Sequence, residues 1–101
     1  MLHAHTHKDV EYVPGGQARH KLDIYLPPKS GRQPLPLIVW IHGGAWIGGS
    51  KDNCRAAPLF APAGYIVASI NYRLVQEAIF PAQVFDCKAA VRWLRVYSPT
   101  E

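Results

Sequence analysis

The segment from His42 to Trp46, His-Gly-Gly-Ala-Trp, is the part of the sequence best suited to chemistry. It follows an apolar run, Leu35 to Ile41, and adjacent glycines let a backbone turn sharply because they have no side chains. In such a turn consecutive backbone N–H groups can point into one cavity, where they stabilise the negative charge that develops on a carbonyl oxygen during acyl transfer. The alternative for a Gly-Gly pair is a tight loop that only ends the strand.

Two other functions could be assigned to the same segment. His42 is a general base by residue type, but at a strand end beside two glycines we predict that it anchors the loop by hydrogen bonding. The stretch from Gly44 to Lys51 approaches a phosphate-binding P-loop, yet Ser50 precedes Lys51, and this inversion moves the lysine away from the phosphate. No G-x-G-x-x-G motif is present, so nucleotide binding is disfavoured.

The remaining histidines and cysteines offer little further chemistry. His3, His5 and His7 would share one face of an extended chain, as a metal site requires, but a frayed terminus is the favoured interpretation. Cys54 and Cys87 form no C-x-x-C pair, so we predict two reduced thiols. The sequence therefore predicts neither a bound metal nor a cofactor.

Composition and charge indicate one modest globular domain. The chain has 101 residues, of which 49% are hydrophobic and 18% charged. Its formal charge of +4 is scattered along the chain, so we expect no nucleic-acid partner. The N-terminus lacks the apolar core of a secretory signal, and no stretch approaches the roughly 20 apolar residues that span a bilayer. We therefore expect a cytoplasmic protein without a membrane partner.

Strand-like and helix-like stretches alternate after a flexible tail, which we assign to residues 1–8. The predicted elements, in chain order, are strands at Asp9–Val13 and His20–Leu26, a central strand at Leu35–Ile41, a helix at Ala56–Ala63, a strand at Tyr65–Tyr72 and a helix from Pro81 to Tyr97. The first two strands should form an antiparallel hairpin. The later strand, helix, strand, helix pattern predicts an α/β fold with parallel strands.

The last helix should pack one apolar face against the sheet. That face comprises Val84, Cys87, Val91 and Leu94, with Ala90, Trp93 and Tyr97 beside it. No predicted strand follows the helix, so the edge of the central strand is expected to stay uncovered. Self-association of the chain through this edge is therefore one prediction.

The segment His42 to Trp46 resembles the HGGxW signature of α/β-hydrolase carboxylesterases, especially the BD-FAE-like esterases, the hormone-sensitive-lipase relatives and the kynurenine formamidases. Three further segments resemble segments of this family and follow one another in the family's order: Leu22–Pro27, Gly64–Leu74 and Phe80–Leu94. The resemblance implies the N-terminal part of an α/β-hydrolase domain over residues 9–101: a β1-β2 hairpin, then parallel β3-αA-β4-αB. It also implies that the strands run β1, β2, β4, β3 across an incomplete sheet.

The resemblance also implies roles for the loop residues. In that family the N–H groups of the second glycine and of the next residue form the oxyanion hole, which here implies Gly44 and Ala45. His42, Gly43 and Trp46 would hold the loop. The implied substrate is a small-molecule carboxylic ester, or an N-formyl amide if the protein is of the formamidase type.

The sequence departs from the family at the nucleophile. The family places its serine in a G-x-S-x-G elbow, followed by the acid and the histidine. None of Ser30, Ser50, Ser69 and Ser98 has glycines at both flanks, and no histidine follows Tyr72. We therefore expect the chain to supply the oxyanion loop, to lack the Ser/Asp/His triad and to be inactive alone. The alternative is a non-catalytic or partner-dependent α/β domain.

Overall fold

The computed structural model describes residues 5–28, 36–44 and 47–97. These residues form a four-stranded sheet in the order β1-β2-β4-β3. The strands are β1 (His5–Glu11), β2 (Lys21–Leu26), β3 (Leu37–Ile41) and β4 (Ile66–Ile70). β2 pairs antiparallel with both β1 and β4, whereas β3 pairs parallel with β4. The predicted hairpin, α/β class and strand order are therefore confirmed.

β1 begins earlier than the sequence predicts. The prediction was a strand at Asp9–Val13 after a flexible tail, but residues 5–8 of that tail belong to the strand. The register shifts between His7 and Val10, and Asp9 has a φ of 57° there. Residues 5–8, His-Thr-His-Lys, include no apolar residue, so the alternation of apolar and polar residues by which a strand is recognised does not mark this part of β1.

The helices are α1 (Ala56–Phe60) and α2 (Ala82–Tyr97), and a one-turn 3₁₀ helix, Lys51–Asn53, precedes α1. α1 is shorter than the predicted Ala56–Ala63 because Pro62 has no N–H to continue the helical hydrogen bonds. None of the helices in the described residues combines the length and the apolar character needed to cross a membrane.

The core lies on both faces of β4, whose residues are all buried. One face is covered by side chains from the hairpin and α2, namely Tyr12, Leu22, Ile24, Leu26, Ala90 and Leu94. The opposite face packs Val67 against Ala56 and Ala57 of α1 and against Ala61, which follows the helix. Burial on both faces explains why four of the five residues of this strand are apolar, without alternation of apolar and polar residues.

The face of α2 that packs on the sheet differs from the predicted one. Of the predicted Val84, Cys87, Val91 and Leu94, only Leu94 is fully buried, while Val84 and Val91 are 36% and 38% exposed. The buried face comprises Gln83, Asp86, Ala90 and Leu94. Hydrophobic periodicity missed it because two of its members are polar: Asp86 is buried with Arg73 and His20, and Gln83 donates to the Ala78 carbonyl.

Candidate functional site

The glycine loop, which we define as residues 42–50, follows directly after β3 and leads into the 3₁₀ helix. Gly44 has a φ of 125°, and a Cβ added there would overlap the Gly48 carbonyl. The Gly44 carbonyl accepts a hydrogen bond from Ile47 N at 2.9 Å. Because an L side chain would be both strained and obstructed, only glycine fits this position.

His42 joins the loop to the end of β4. Its ring is stacked on Tyr72, with 4.3 Å between ring centroids and 13° between planes, and the residue is only 6% exposed. The Tyr72 hydroxyl donates to the His42 carbonyl at 2.7 Å. The His42 Nδ1 lies 2.8 Å from the Gly43 carbonyl oxygen, and since a carbonyl only accepts, Nδ1 donates this bond.

The contacts of both ring nitrogens, and not the neutral charge of the ring, argue against a role of His42 as general base: Nδ1 donates to the Gly43 carbonyl, and an Arg19 nitrogen lies 3.4 Å from Nε2. Burial lowers the pKa of His42 below its usual value, the bond to the Gly43 carbonyl opposes that shift, and the positive charge of Arg19 adds to it. The ring is therefore neutral near neutral pH, and its one proton is already used within the loop. The hydrogen bonds of His42 and Tyr72 hold the loop backbone at His42 and Gly43.

The orientation of the Gly44 N–H follows from the bond to Gly43. In a trans peptide the carbonyl and the next N–H point in opposite directions, so a fixed Gly43 carbonyl fixes the Gly44 N–H away from the His42 ring. Both glycines are exposed, and no hydrogen bond in the described part of the chain uses the Gly44 N–H. A fixed, exposed and unused donor is what an oxyanion site requires.

Arg19, from the turn between β1 and β2, contacts the C-terminal half of the glycine loop, which contains Gly49. One guanidinium nitrogen donates to the Gly49 carbonyl at 2.8 Å, while Nε donates to the Tyr72 carbonyl at 2.9 Å. Gly49 has a φ of 95°, and a Cβ there would overlap the Gly43 oxygen and the His42 ring. The two halves of the loop therefore pack directly against each other.

Lys51, where the loop ends, is held by both its backbone and its side chain. Its N–H donates to Asn71 Oδ1 at 2.8 Å, and its carbonyl accepts from Ser69 Oγ at 2.8 Å. Its buried Nζ lies 2.9 Å from both Asp9 and Asp23. Burial lowers the pKa of Lys51, but the bonds to the two carboxylates outweigh burial and hold it above the usual value.

A second polar cluster fixes α2 rather than the loop. Asp86 accepts from Arg73 at 2.9 Å and lies 3.0 Å from His20 Nε2. Burial raises the pKa of Asp86, but the bonds from Arg73 and His20 outweigh it and bring the pKa below the usual value. Asp86 is therefore ionised and structural.

The structure brings together three of the five predicted loop residues: His42, Gly43 and Gly44. Ala45 and Trp46 lie outside the described residues. Of the serines, Ser69 is buried and donates to the Lys51 carbonyl, and Ser50 accepts from the Asp52 N–H. Ser30 and Ser98 lie outside the described residues.

Sequence reasoning missed the contributions of Arg19, Asn71 and Lys51. Arg19 and Gly49 are separated by 30 positions, and no motif links them. Asn71 gave one signal that could have been used, since it is a polar residue directly after a buried strand. No group of three or more His, Cys, Asp or Glu side chains within the described ranges could hold a metal ion.

Comparison with known proteins gives the family of the chain. The BD-FAE family model matches residues 22–99. The carboxylesterase NlhH of Mycobacterium tuberculosis is 41% identical over 75 residues, covering 70% of this chain and 23% of NlhH. Esterase LipQ of the same organism is 37% identical over 93 residues, covering 86% of this chain and 21% of LipQ. The crystal structure of esterase B from Lactobacillus rhamnosis superposes with a TM-score of 0.82 and 30% identity, covering 95% of this chain and 31% of that one.

The fold and these relatives place the chain in the α/β-hydrolase esterase family, and the match covers the N-terminal part of that fold. Within that class, the chain belongs to the BD-FAE family. It spans 21–31% of the length of these three relatives.

Proposed function

We propose that this chain supplies the oxyanion-binding loop of a serine hydrolase that cleaves carboxylic esters. The observation that carries the proposal is the Gly44 N–H, which is exposed, unused within the described chain and fixed in direction by the bond between Gly43 and His42. The esterase relatives support the same reaction class.

In this mechanism the substrate carbonyl oxygen would sit against the Gly44 N–H, with the Ala45 N–H as the second donor. Negative charge develops on that oxygen when a serine attacks the carbonyl carbon and again when water attacks the acyl-enzyme. Donors already aimed at the oxygen stabilise both tetrahedral intermediates, and one such donor contributes about 3 kcal/mol to lowering the barrier. Trp46, next to these donors, would border the acyl or alcohol pocket.

The nucleophile, acid and base of the triad would come from residues outside this chain. Ser69 is buried, and its hydroxyl donates to a backbone carbonyl. Ser50 Oγ accepts the Asp52 N–H at the start of the 3₁₀ helix. The neutral, hydrogen-bonded ring of His42 serves neither serine. We therefore expect the 101-residue chain on its own to be inactive.

The test is turnover by the natural protein, expressed with every residue that its gene encodes. We expect hydrolysis of p-nitrophenyl acetate or butyrate, and its loss when an alkyl phosphonate labels one serine. Preferential cleavage of N-formylkynurenine would instead indicate the formamidase type. Activity on neither ester nor formyl amide would contradict both and favour a non-catalytic domain.

A parallel assay examines the 101-residue chain alone. We expect its hydrolysis of p-nitrophenyl acetate to equal the uncatalysed background. Turnover that disappears when one of its own serines is replaced would show that the chain carries its own nucleophile, against the proposal.

A further inference from the structure

We propose that Arg19 is a positioning residue: it keeps Nε2 of His42 unprotonated, so that the ring's only proton stays on Nδ1 and holds the Gly43 carbonyl. The consequence for catalysis rests on the function proposed above. The position of the proton, however, can be measured whether or not that function is correct.

The first step is the geometry around Nε2. A guanidinium nitrogen of Arg19 lies 3.4 Å from His42 Nε2, and the same side chain is fixed by the Gly49 and Tyr72 carbonyls. Asn71 Oδ1 is a further acceptor at 3.3 Å. An arginine has only N–H donors and keeps its charge in proteins. A proton on Nε2 would therefore face a donor and a positive charge.

The second step is the geometry around Nδ1. Its partner at 2.8 Å is the Gly43 carbonyl, which can only accept. The Tyr72 hydroxyl is 3.2 Å from Nδ1, but it donates to the His42 carbonyl at 2.7 Å and leaves the Nδ1 proton to Gly43. Only one neutral form satisfies both sides of the ring: Nδ1 protonated and Nε2 bare.

The third step is what the other forms would do. With the proton on Nε2, the Nδ1 lone pair would face the Gly43 oxygen, and the repulsion would turn this carbonyl. The Gly44 N–H would turn with it, because both belong to one planar peptide. A doubly protonated ring would place a second positive charge beside Arg19. Arg19 opposes both forms.

Within residues 5–28, 36–44 and 47–97, no other charged side chain faces the ring. The charged and titratable groups that face His42 among the described residues are Arg19 and Tyr72. Glu77 lies behind Arg19, with its carboxylate 4.0 Å from Arg19 Nε. The Arg19 guanidinium, itself oriented by three backbone and side-chain oxygens, is therefore the charged group that opposes a proton on Nε2, while the Gly43 carbonyl favours the proton on Nδ1.

The experiment measures the ring nitrogens of His42 by ¹⁵N NMR in the natural protein, expressed with every residue that its gene encodes. The variants are Arg19→Met, Arg19→Lys and the control Arg55→Met, which removes an exposed arginine at the start of α1 with no capping bond. The unsubstituted protein and the control should show only the Nδ1-protonated form at neutral pH. Arg19→Met should show protonation at Nε2 and a titration midpoint moved upward, and Arg19→Lys should retain more of the original form.

Ester hydrolysis by the same variants gives the second measurement. We expect Arg19→Met to lower kcat about 10- to 100-fold with little change in KM, because an oxyanion donor acts mainly in the transition state. A folded Arg19→Met protein with unchanged His42 nitrogens would overturn the proposal, as would an unsubstituted protein with its proton on Nε2. If Arg19→Met does not fold, the proposal is tested by the ¹⁵N NMR of His42 in Arg19→Lys and in the unsubstituted protein. An Arg19-dependent proton in a protein without esterase activity would support the positioning and contradict the proposed function.

Discussion

The glycine loop and the groove between β3 and α2 both adjoin β3, but they differ in how their residues are contacted. Hydrogen bonds from the hairpin turn and from the residues that follow β4 hold the loop at His42 and Gly49 and hold Lys51 where the loop ends. The groove between β3 and α2 is apolar and open. Its lining comprises Ile41, Val84, Cys87, Lys88, Val91, Arg92 and Arg95.

The difference separates a loop held by polar contacts within the chain from a groove whose apolar side chains are exposed. The contacts at His42, Gly49 and Lys51 come from elsewhere in this chain. The groove exposes apolar side chains beside β3, whose paired neighbour in the described sheet is β4 alone. Apolar surface of this kind gains stability when another surface covers it. Self-association through this edge stays a prediction, and the cations beside the groove oppose a symmetric pairing at low salt.

The largest effect should come from the buried cation at the end of the loop. Lys51→Met removes the cation beside Asp23, whose side chain is fully buried, and should lower the free energy of unfolding by about 3–5 kcal/mol. Lys8→Met is the matched control: Lys8 lies 3.7 Å from the same carboxylate but is half exposed, so we expect a cost below about 1 kcal/mol. Urea denaturation of both variants measures the difference, and equal costs would contradict the account.

A comparison along α2 should show whether the groove is open. Leu94→Ala should cost about 2–5 kcal/mol because its side chain is fully buried in the core. Val91→Ala should cost less than about 1 kcal/mol if its exposed position stays exposed. In thermal melts of the natural protein, a cost at Val91 comparable with that at Leu94 would show that the groove is covered.

Substitution within the loop should affect catalysis more than stability. Gly49→Ala places a Cβ against the Gly43 oxygen and the His42 ring, so we expect about a 100-fold loss of kcat in ester hydrolysis. Gly48→Ala is the control, because a Cβ there meets nothing within 4 Å. Equal activities of the two variants would show that the packing of the loop does not matter to the reaction.

The smallest effect concerns the thiol in the groove. Burial raises the pKa of Cys87 to about 11, and the negative charge of Asp86 contributes in the same direction. In a Cys54→Ser background, alkylation by iodoacetamide at pH 8 should be about tenfold slower than for an ordinary thiol, because less thiolate is present. The rate should keep rising up to about pH 11. A plateau below that pH would contradict the burial of this thiol.

The sequence predicted the hairpin and the place of the glycine loop, because apolar runs and adjacent glycines are local signals, whereas the strand order followed from the family resemblance. It misplaced the start of β1, where residues 5–8 contain no apolar side chain. It chose the wrong face of α2 because Gln83 and Asp86 are buried with polar partners. It did not find Arg19, since nothing local to the hairpin turn indicates that its side chain reaches Gly49.

The most direct test of the central claim is a crystal structure of the natural protein with an alkyl phosphonate on its nucleophile. The phosphoryl oxygen of this inhibitor imitates the oxyanion of the tetrahedral intermediate. The account predicts that this oxygen lies about 2.7–3.1 Å from the Gly44 nitrogen, with the Gly43 carbonyl still bonded to His42 Nδ1. A phosphoryl oxygen bound by other donors, with the Gly44 N–H directed away from it, would contradict the account.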